Sequence, residues 1–176
     1  MSSPRRLAHV ALHTNRLDEL VRWYCEVLEA RVAHRSESIA FLTYDEEHHR
    51  IALVGLQTYA PRSESASVGH YHTAFAYDAL SELLGNFVRL RELGILPYRS
   101  INHGPTVSLY YADPEGNRIE LQVDSFPDAQ ATNDWLRSDA FRRNPIGIDF
   151  DPDEMLRRLQ AGVPDTELMR RPDAVR

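Results

Sequence analysis

The sequence predicts an α+β protein with two tandem βαβββ modules and a helical C-terminal extension. The first observation is an internal repeat with a constant offset of 63 residues, in which His9 corresponds to His72 and Gln57 corresponds to Glu120. The second is that each copy alternates like a strand, continues with helical periodicity and then returns to three strand-like runs. The three predicted segments cover residues 1–61, 62–124 and 125–176.

The first module begins with an alternating strand at residues 7–14, which places His9 in mid-strand on the face that it shares with His13. Asn15 belongs to the residue types that cap helices, so it predicts a helix that runs to about Ala30. Three strand-like runs complete the module near residues 31–35, 38–44 and 50–57.

The second module follows a polar, Pro- and Ser-rich connector at residues 58–69. A strand that starts at Tyr71 leads to a predicted helix over residues 79–93, which Gly94 ends. The residues at 113–117 combine Pro, Gly and Asn and therefore predict a tight turn. Strand-like runs lie near residues 96–101, 106–112 and 117–123.

The C-terminal extension shows no repeat. Residues 151–154 combine a capping acid, a proline in the first turn and a further acid, which predicts a helix that ends near Gly162. We expect the extension to pack on the modules or on a second subunit, without a part in the chemistry. Four arginine pairs are predicted to be solvated surface: Arg5–Arg6, Arg142–Arg143, Arg157–Arg158 and Arg170–Arg171.

The composition argues against several functional classes. The net charge is −6 and no clustered basic face is visible, which argues against nucleic-acid binding. No apolar run approaches the length of a membrane span, so no membrane partner is expected. Cys25 is the one cysteine, which excludes an internal disulfide and is typical of a reducing cytoplasm.

A metal site is predicted at His9, His72 and Glu120. In the strand at 117–123 the apolar side chains share one face and Glu120 lies on the other, where a carboxylate is costly unless it is paired or bound to a metal. A single histidine on a strand is more often a hydrogen-bonded structural residue. Because the repeat places all three residues, we predict a non-haem Fe(II) site that leaves coordination positions open.

The segments HVAL at 9–12, HTAF at 72–75 and SLYYADPEGNRIEL at 108–121 resemble the vicinal oxygen chelate superfamily. This superfamily includes glyoxalases, bleomycin-resistance proteins and extradiol dioxygenases, and the resemblance covers residues 7–123. It implies paired βαβββ modules whose strands form an incomplete barrel around one metal. Since modules of this type usually pair, we also expect a homodimer.

Within the superfamily, a three-ligand site of His9, His72 and Glu120 is similar to that of the type I extradiol catechol dioxygenases. Their tyrosine ten residues before the glutamate corresponds to Tyr110. The resemblance implies that Fe(II) and O₂ open the ring of a small aromatic diol, and that Tyr110 hydrogen-bonds a substrate oxygen.

One departure from this pattern concerns the acid/base residue. Two-domain extradiol enzymes keep a catalytic histidine about fifteen residues before the second metal histidine, and here Gln57 occupies that place. We therefore predict His103 as the group that transfers protons. His70 and His13 are the alternatives.

Three other activities of the superfamily remain open from the sequence. A glyoxalase- or epimerase-type lyase or isomerase would use Mn, Ni, Co or Zn and would need a stronger fourth ligand than Gln57. A metal-free resistance protein that binds a small molecule would not need the metal triad. A fosfomycin-type thiol transferase needs basic residues for a phosphonate, and the sequence contains no lysine, although Arg99 and Arg118 could serve.

Overall fold

The computed structural model describes residues 3–56, 58–60 and 68–172. Their helices and two sheets confirm the predicted α+β class. The predicted boundary between residues 61 and 62 lies outside the described residues, as does Gln57. Two compact units are formed, one by Met1–His70 with Asp113–Asn117, the other by Tyr71–Ala112 with Arg118–Arg176.

The first unit contains a four-stranded sheet in the order β1-β4-β3-β2. Strand β1 runs parallel to β4, and the other neighbours are antiparallel. The apolar face of the helix α1 is buried because Leu20, Tyr24 and Val27 recur at helical spacing. The elements are β1 (Val10–Thr14), α1 (Leu17–Leu28), β2 (Arg31–Arg35), β3 (Ile39–Thr43) and β4 (Ile51–Gly55).

The second unit repeats this arrangement and adds one strand. Its sheet has the order β5-β8-β7-β6-β9, with β5 parallel to β8. The added strand β9 (Ile148–Asp149) comes from the C-terminal extension and pairs with the edge of β6. The repeated elements are β5 (Thr73–Tyr77), α2 (Leu80–Glu92), β6 (Arg99–Asn102), β7 (Thr106–Ala112) and β8 (Arg118–Asp124).

The extension forms four helices in the described residues. The predicted helix start is confirmed, since the Asp151 side chain accepts hydrogen bonds from the amides of Asp153 and Glu154. No helix in the described part of the chain is long and apolar enough to cross a membrane. The helices are α3 (Ala129–Leu136), α4 (Asp139–Arg143), α5 (Pro152–Gln160) and α6 (Asp165–Leu168).

Two local expectations were wrong. Asn15 does not cap α1, because the N-cap residue is Arg16 and it makes no side-chain cap. The Asn15 amide instead bonds the backbone of Tyr59 in both directions. His9 was expected in mid-strand and His72 inside a strand that starts at Tyr71, but each histidine immediately precedes its strand.

The turn at Asp113–Asn117 is built around a buried carboxylate. The Oδ1 atom of Asp113 accepts the amides of Glu115 and Asn117 at 2.9 and 2.8 Å. Its Oδ2 atom accepts the Asn117 side chain and the Tyr24 hydroxyl at 2.8 and 3.2 Å. Gly116 has φ +78°, a conformation that suits glycine. The side chains of this turn therefore have a structural role.

Replacement of Asp113 by alanine leaves several donors without their acceptor. We expect Asp113→Ala to lower the free energy of unfolding by about 3 kcal/mol, and Tyr24→Phe to lower it by about 1 kcal/mol. Asp124→Ala changes an exposed aspartate and should stay within about 0.5 kcal/mol of the parent. Urea denaturation measures all three, and equal losses for Asp113→Ala and Asp124→Ala would contradict the structural role.

Candidate active site

The second unit brings His72 and Glu120 together. His72 immediately precedes β5, which pairs with β8, the strand that carries Glu120. Glu120 is only 5% exposed, and its Oε2 atom lies 2.9 Å from Nε2 of His72. The Nδ1 atom of His72 is buried and has no hydrogen-bond partner within the described residues. An imidazole nitrogen and a carboxylate oxygen therefore converge at one point.

Tyr110 lies directly opposite Glu120 in the antiparallel pair of β7 and β8. Its hydroxyl lies 2.7 Å from Nε2 of His103 and close enough to the Glu120 carboxylate to feel its charge. Burial raises the pKa of Tyr110, and the negative charge of Glu120 raises it further. The phenol is thus protonated near neutral pH and acts as a hydrogen-bond donor.

His103 follows β6 and lies between two partners with different properties. Its Nδ1 atom hydrogen-bonds the carbonyl oxygen of Ile146, which can only accept, so Nδ1 carries a proton. Its Nε2 atom lies 2.7 Å from the Tyr110 hydroxyl and 3.9 Å from Oε1 of Glu120. Burial lowers the pKa of His103, while the Ile146 carbonyl and Glu120 act in the opposite direction.

The cluster of His103, Tyr110 and Glu120 can hold a proton in two places. In the neutral imidazole, Nε2 accepts the hydrogen bond that the Tyr110 hydroxyl donates. In the imidazolium, Nε2 donates to the Tyr110 oxygen, whose own proton is then available to Glu120. His103 can therefore take up and return a proton while Nδ1 stays bonded to Ile146.

The other predicted residues belong to the first unit. The His9 ring has its centroid 4.5 Å from that of His49, and His13 stacks on Tyr59 at 4.3 Å. His70 is exposed. Among residues 3–56, 58–60 and 68–172, no three His, Cys, Asp or Glu side chains form a group that could hold a metal. The structure thus assembles the His72–Glu120 pair, and the three-ligand site remains a prediction.

A family model described as "Glyoxalase/Bleomycin resistance protein/Dioxygenase superfamily" matches residues 6–121. The chain belongs to this superfamily. It is 40% identical over 164 residues to biphenyl-2,3-diol 1,2-dioxygenase 2 of Rhodococcus globerulus, which covers 93% of this chain and 86% of the relative. It is 41% identical over 172 residues to biphenyl-2,3-diol 1,2-dioxygenase 3 of the same organism. This alignment covers 97% of this chain and 90% of the relative.

Solved structures of the superfamily share the fold. A lactoylglutathione lyase from Agrobacterium tumefaciens has a TM-score of 0.56 at 19% identity, over 69% of this chain and 96% of that one. A glyoxylase/bleomycin resistance protein/dioxygenase domain from Frankia sp. EAN1pec has a TM-score of 0.57 at 20% identity, over 69% of this chain and 99% of that one. These structures confirm the glyoxalase fold. The two Rhodococcus relatives confirm the predicted class of extradiol dioxygenase.

The second unit also contains a cavity of about 400 Å³, which neither His72 nor Glu120 lines. It is lined by residues of β9, α5 and α6, together with Asn102, and none of the predicted site residues lines it. Its carboxylates have structural roles, since Asp149 pairs with Arg99 and Asp151 caps α5. We therefore place the candidate site at His72, Glu120 and their neighbours.

Two residues around His103 were missed from the sequence. Ile146 acts through its backbone carbonyl, which leaves no trace in residue type. Arg171 was predicted to be solvated with Arg170, but it is only 2% exposed and bonds the carbonyl of His103. An Arg-Arg pair near the end of a helix-rich segment gives no signal of which member is buried.

Proposed function

We propose that this chain is an Fe(II)-dependent extradiol dioxygenase that opens an aromatic diol of the biphenyl-2,3-diol type with O₂. The observation that carries the proposal is its identity of 40–41%, over more than nine-tenths of the chain, to two biphenyl-2,3-diol 1,2-dioxygenases. The arrangement of His72, Glu120, Tyr110 and His103 agrees with this chemistry.

His9, His72 and Glu120 are the proposed iron ligands. Nε2 of His72 and Oε2 of Glu120 lie 2.9 Å apart, so an imidazole nitrogen and a carboxylate oxygen, two donor types of a non-haem Fe(II) site, could both bind one ion. The assignment of His9 as a ligand rests on the internal repeat, in which His9 corresponds to His72. Iron held by two histidines and one carboxylate supplies a redox-active centre with open positions for the diol and O₂.

His103 and Tyr110 are proposed to handle the proton of the substrate. A diol must lose a hydroxyl proton to become a strong electron donor, and the neutral Nε2 of His103 is able to accept it. Because extradiol cleavage places both oxygen atoms in the product, His103 returns this proton later. Once His103 has taken up the proton, Nε2 donates to the Tyr110 oxygen, and the Tyr110 hydroxyl, which stays protonated, is free to orient a substrate oxygen by donating a hydrogen bond.

Exposed aromatic rings next to these residues support an aromatic substrate. Tyr71 is 62% exposed with its ring centroid 5.2 Å from that of His72. Tyr98 is 50% exposed with its centroid 6.2 Å from that of Tyr110. Such surfaces favour contacts with a second ring, which a biphenyl diol has and catechol lacks.

The test is an oxygen-uptake assay of protein loaded anaerobically with Fe(II). With biphenyl-2,3-diol we expect O₂ consumption and a yellow ring-opened product, and with catechol a lower kcat/KM. Parallel samples with Mn, Ni, Co or Zn receive the diol and a methylglyoxal–thiol adduct. Turnover of the adduct with Ni or Zn, and no diol cleavage with Fe(II), would overturn the proposal in favour of a lyase. Tight diol binding without turnover by any metal would indicate a binding protein.

The cytoplasmic location and the homodimer stay predictions. The single cysteine, Cys25, is compatible with a reducing compartment. Light scattering of the iron-loaded protein measures the oligomeric state directly.

A further inference from the structure

The C-terminal extension holds the backbone around His103 through a buried arginine. The guanidinium of Arg171 donates to the carbonyl oxygens of His103 and Asn144 at 3.0 and 2.8 Å, and to that of Ala140 at 3.0 Å. It also lies over the ring of Trp135, 5.1 Å from the centroid. One side chain therefore joins three parts of the chain that are far apart in sequence.

The burial of this guanidinium makes its geometry specific. Arg171 is 2% exposed, and these three acceptors are neutral carbonyls. A charge taken out of water is costly unless well-placed hydrogen bonds replace its hydration. Because the guanidinium is planar and rigid, it can satisfy these acceptors only when they keep fixed positions. Arg171 thus fixes the distance between the His103 backbone and residues 140–144.

The carbonyl of Ile146, which sets the tautomer of His103, lies next to the segment that Arg171 bonds. Ile146, which bonds Nδ1 of His103, lies two residues after Asn144. The Asn144 side chain bonds Gly147 in both directions at 2.9 Å. Gly147 has φ +110°, and a Cβ atom there would lie 2.3 Å from the carbonyl oxygen of Asn102. The segment 144–147 is therefore held tightly against the end of β6.

We propose that Arg171 is a positioning residue for His103: it ties the segment that presents the Ile146 carbonyl to the His103 backbone. Through this tie, Nδ1 of His103 keeps its proton and Nε2 keeps its place 2.7 Å from the Tyr110 hydroxyl. The inference rests on the proposed function, in which His103 accepts and returns the substrate proton.

The first test measures the His103 tautomer and does not require activity. Long-range ¹H–¹⁵N NMR of the metal-free protein should show the Nδ1–H tautomer in the parent, assigned by loss of the signal in His103→Gln. In Arg171→Gln we expect the Nε2–H form to appear, and in Arg171→Lys a partial change. Arg170→Gln is the matched control, because Arg170 is the exposed neighbour. An unchanged tautomer in folded Arg171→Gln would overturn the proposal.

The second test is a double-mutant cycle in the iron-loaded enzyme. Arg171→Gln should lower kcat about 100-fold, because a catalytic group displaced by about 1 Å loses that much, while iron content and KM stay near the parent. In the His103→Gln background, Arg171→Gln should cost less than about 3-fold further. A 100-fold loss in both backgrounds would show that Arg171 does not act through His103 and would overturn the proposal.

A further variant covers the case in which Arg171→Gln does not fold. Gly147→Ala strains the same segment, and it should shift the His103 tautomer and lower kcat without loss of iron. A parent tautomer in Gly147→Ala, at parent kcat, would contradict the proposal. If the parent shows the Nδ1–H tautomer and Arg171→Gln changes it, yet no diol is cleaved, the positioning stands and the proposed function fails.

Discussion

Glu120→Ala is expected to abolish iron binding and to reduce diol cleavage to background. Glu120 is almost fully buried, its Oε2 atom lies 2.9 Å from Nε2 of His72, and its carboxylate supplies the negative charge of the cluster that it forms with Tyr110 and His103. Residues that merely orient metal ligands contribute 10–100-fold to metal affinity, so the loss of a ligand should exceed about 100-fold. Iron content after gel filtration and the rate of O₂ uptake measure the two effects.

Two variants serve as controls for Glu120→Ala. Glu120→Gln keeps the shape of the side chain and removes its charge, so it should also lose iron if the charge binds the metal. Gln122→Ala changes the residue two positions further along β8 and should keep both iron and turnover. Full iron occupancy in Glu120→Ala would show that the metal assignment is wrong.

His103→Gln is expected to lower kcat by about 10²- to 10⁴-fold, the range that general acid–base groups contribute. Iron content should stay near the parent, because His103 is not one of the proposed ligands. We expect this loss of kcat because Nε2 of His103 hydrogen-bonds the Tyr110 hydroxyl, while Nδ1 hydrogen-bonds the carbonyl of Ile146. Stopped-flow absorbance of the ring-opened product gives kcat and KM separately.

The other two candidate histidines form a matched comparison. His13 stacks on Tyr59 and His70 is exposed, so His13→Gln and His70→Gln should change kcat by less than about 3-fold. A large loss in either variant would transfer the acid/base role to that residue. If His103→Gln raises only KM, then His103 lines the substrate pocket and moves no proton.

Much of the fold was predictable because it rests on repetition and alternation of residue types, which are visible in the sequence itself. The repeat offset predicts both modules, and the alternation of Ile119, Glu120 and Leu121 predicts that the carboxylate lies apart from the apolar side chains of β8. In the structure Glu120 lies beside His72. Asn15 shows the limit of such reasoning, since a capping residue type instead makes a distant contact with Tyr59. The residue type determines which interactions a side chain can make, and tertiary packing determines which of these interactions it makes.

The surroundings of His103 were not predictable for the same reason. Its tautomer depends on a backbone carbonyl 43 residues away, and its backbone is held by an arginine 68 residues away. The strand β9 has only two residues, too few to show alternation. Sequence patterns therefore identified His103 as a candidate, but they could not show what orients it.

The distance in sequence between His103 and Arg171 has a consequence for synthesis. A ribosome adds roughly 5–20 residues per second, so Arg171 is added between about 3 and 14 seconds after His103. Strands β6, β7 and β8 pair with neighbours close in sequence and can form a sheet within this interval. The nascent second unit is therefore expected to form its sheet first and to fix the orientation of His103, the proposed proton-transfer group, last.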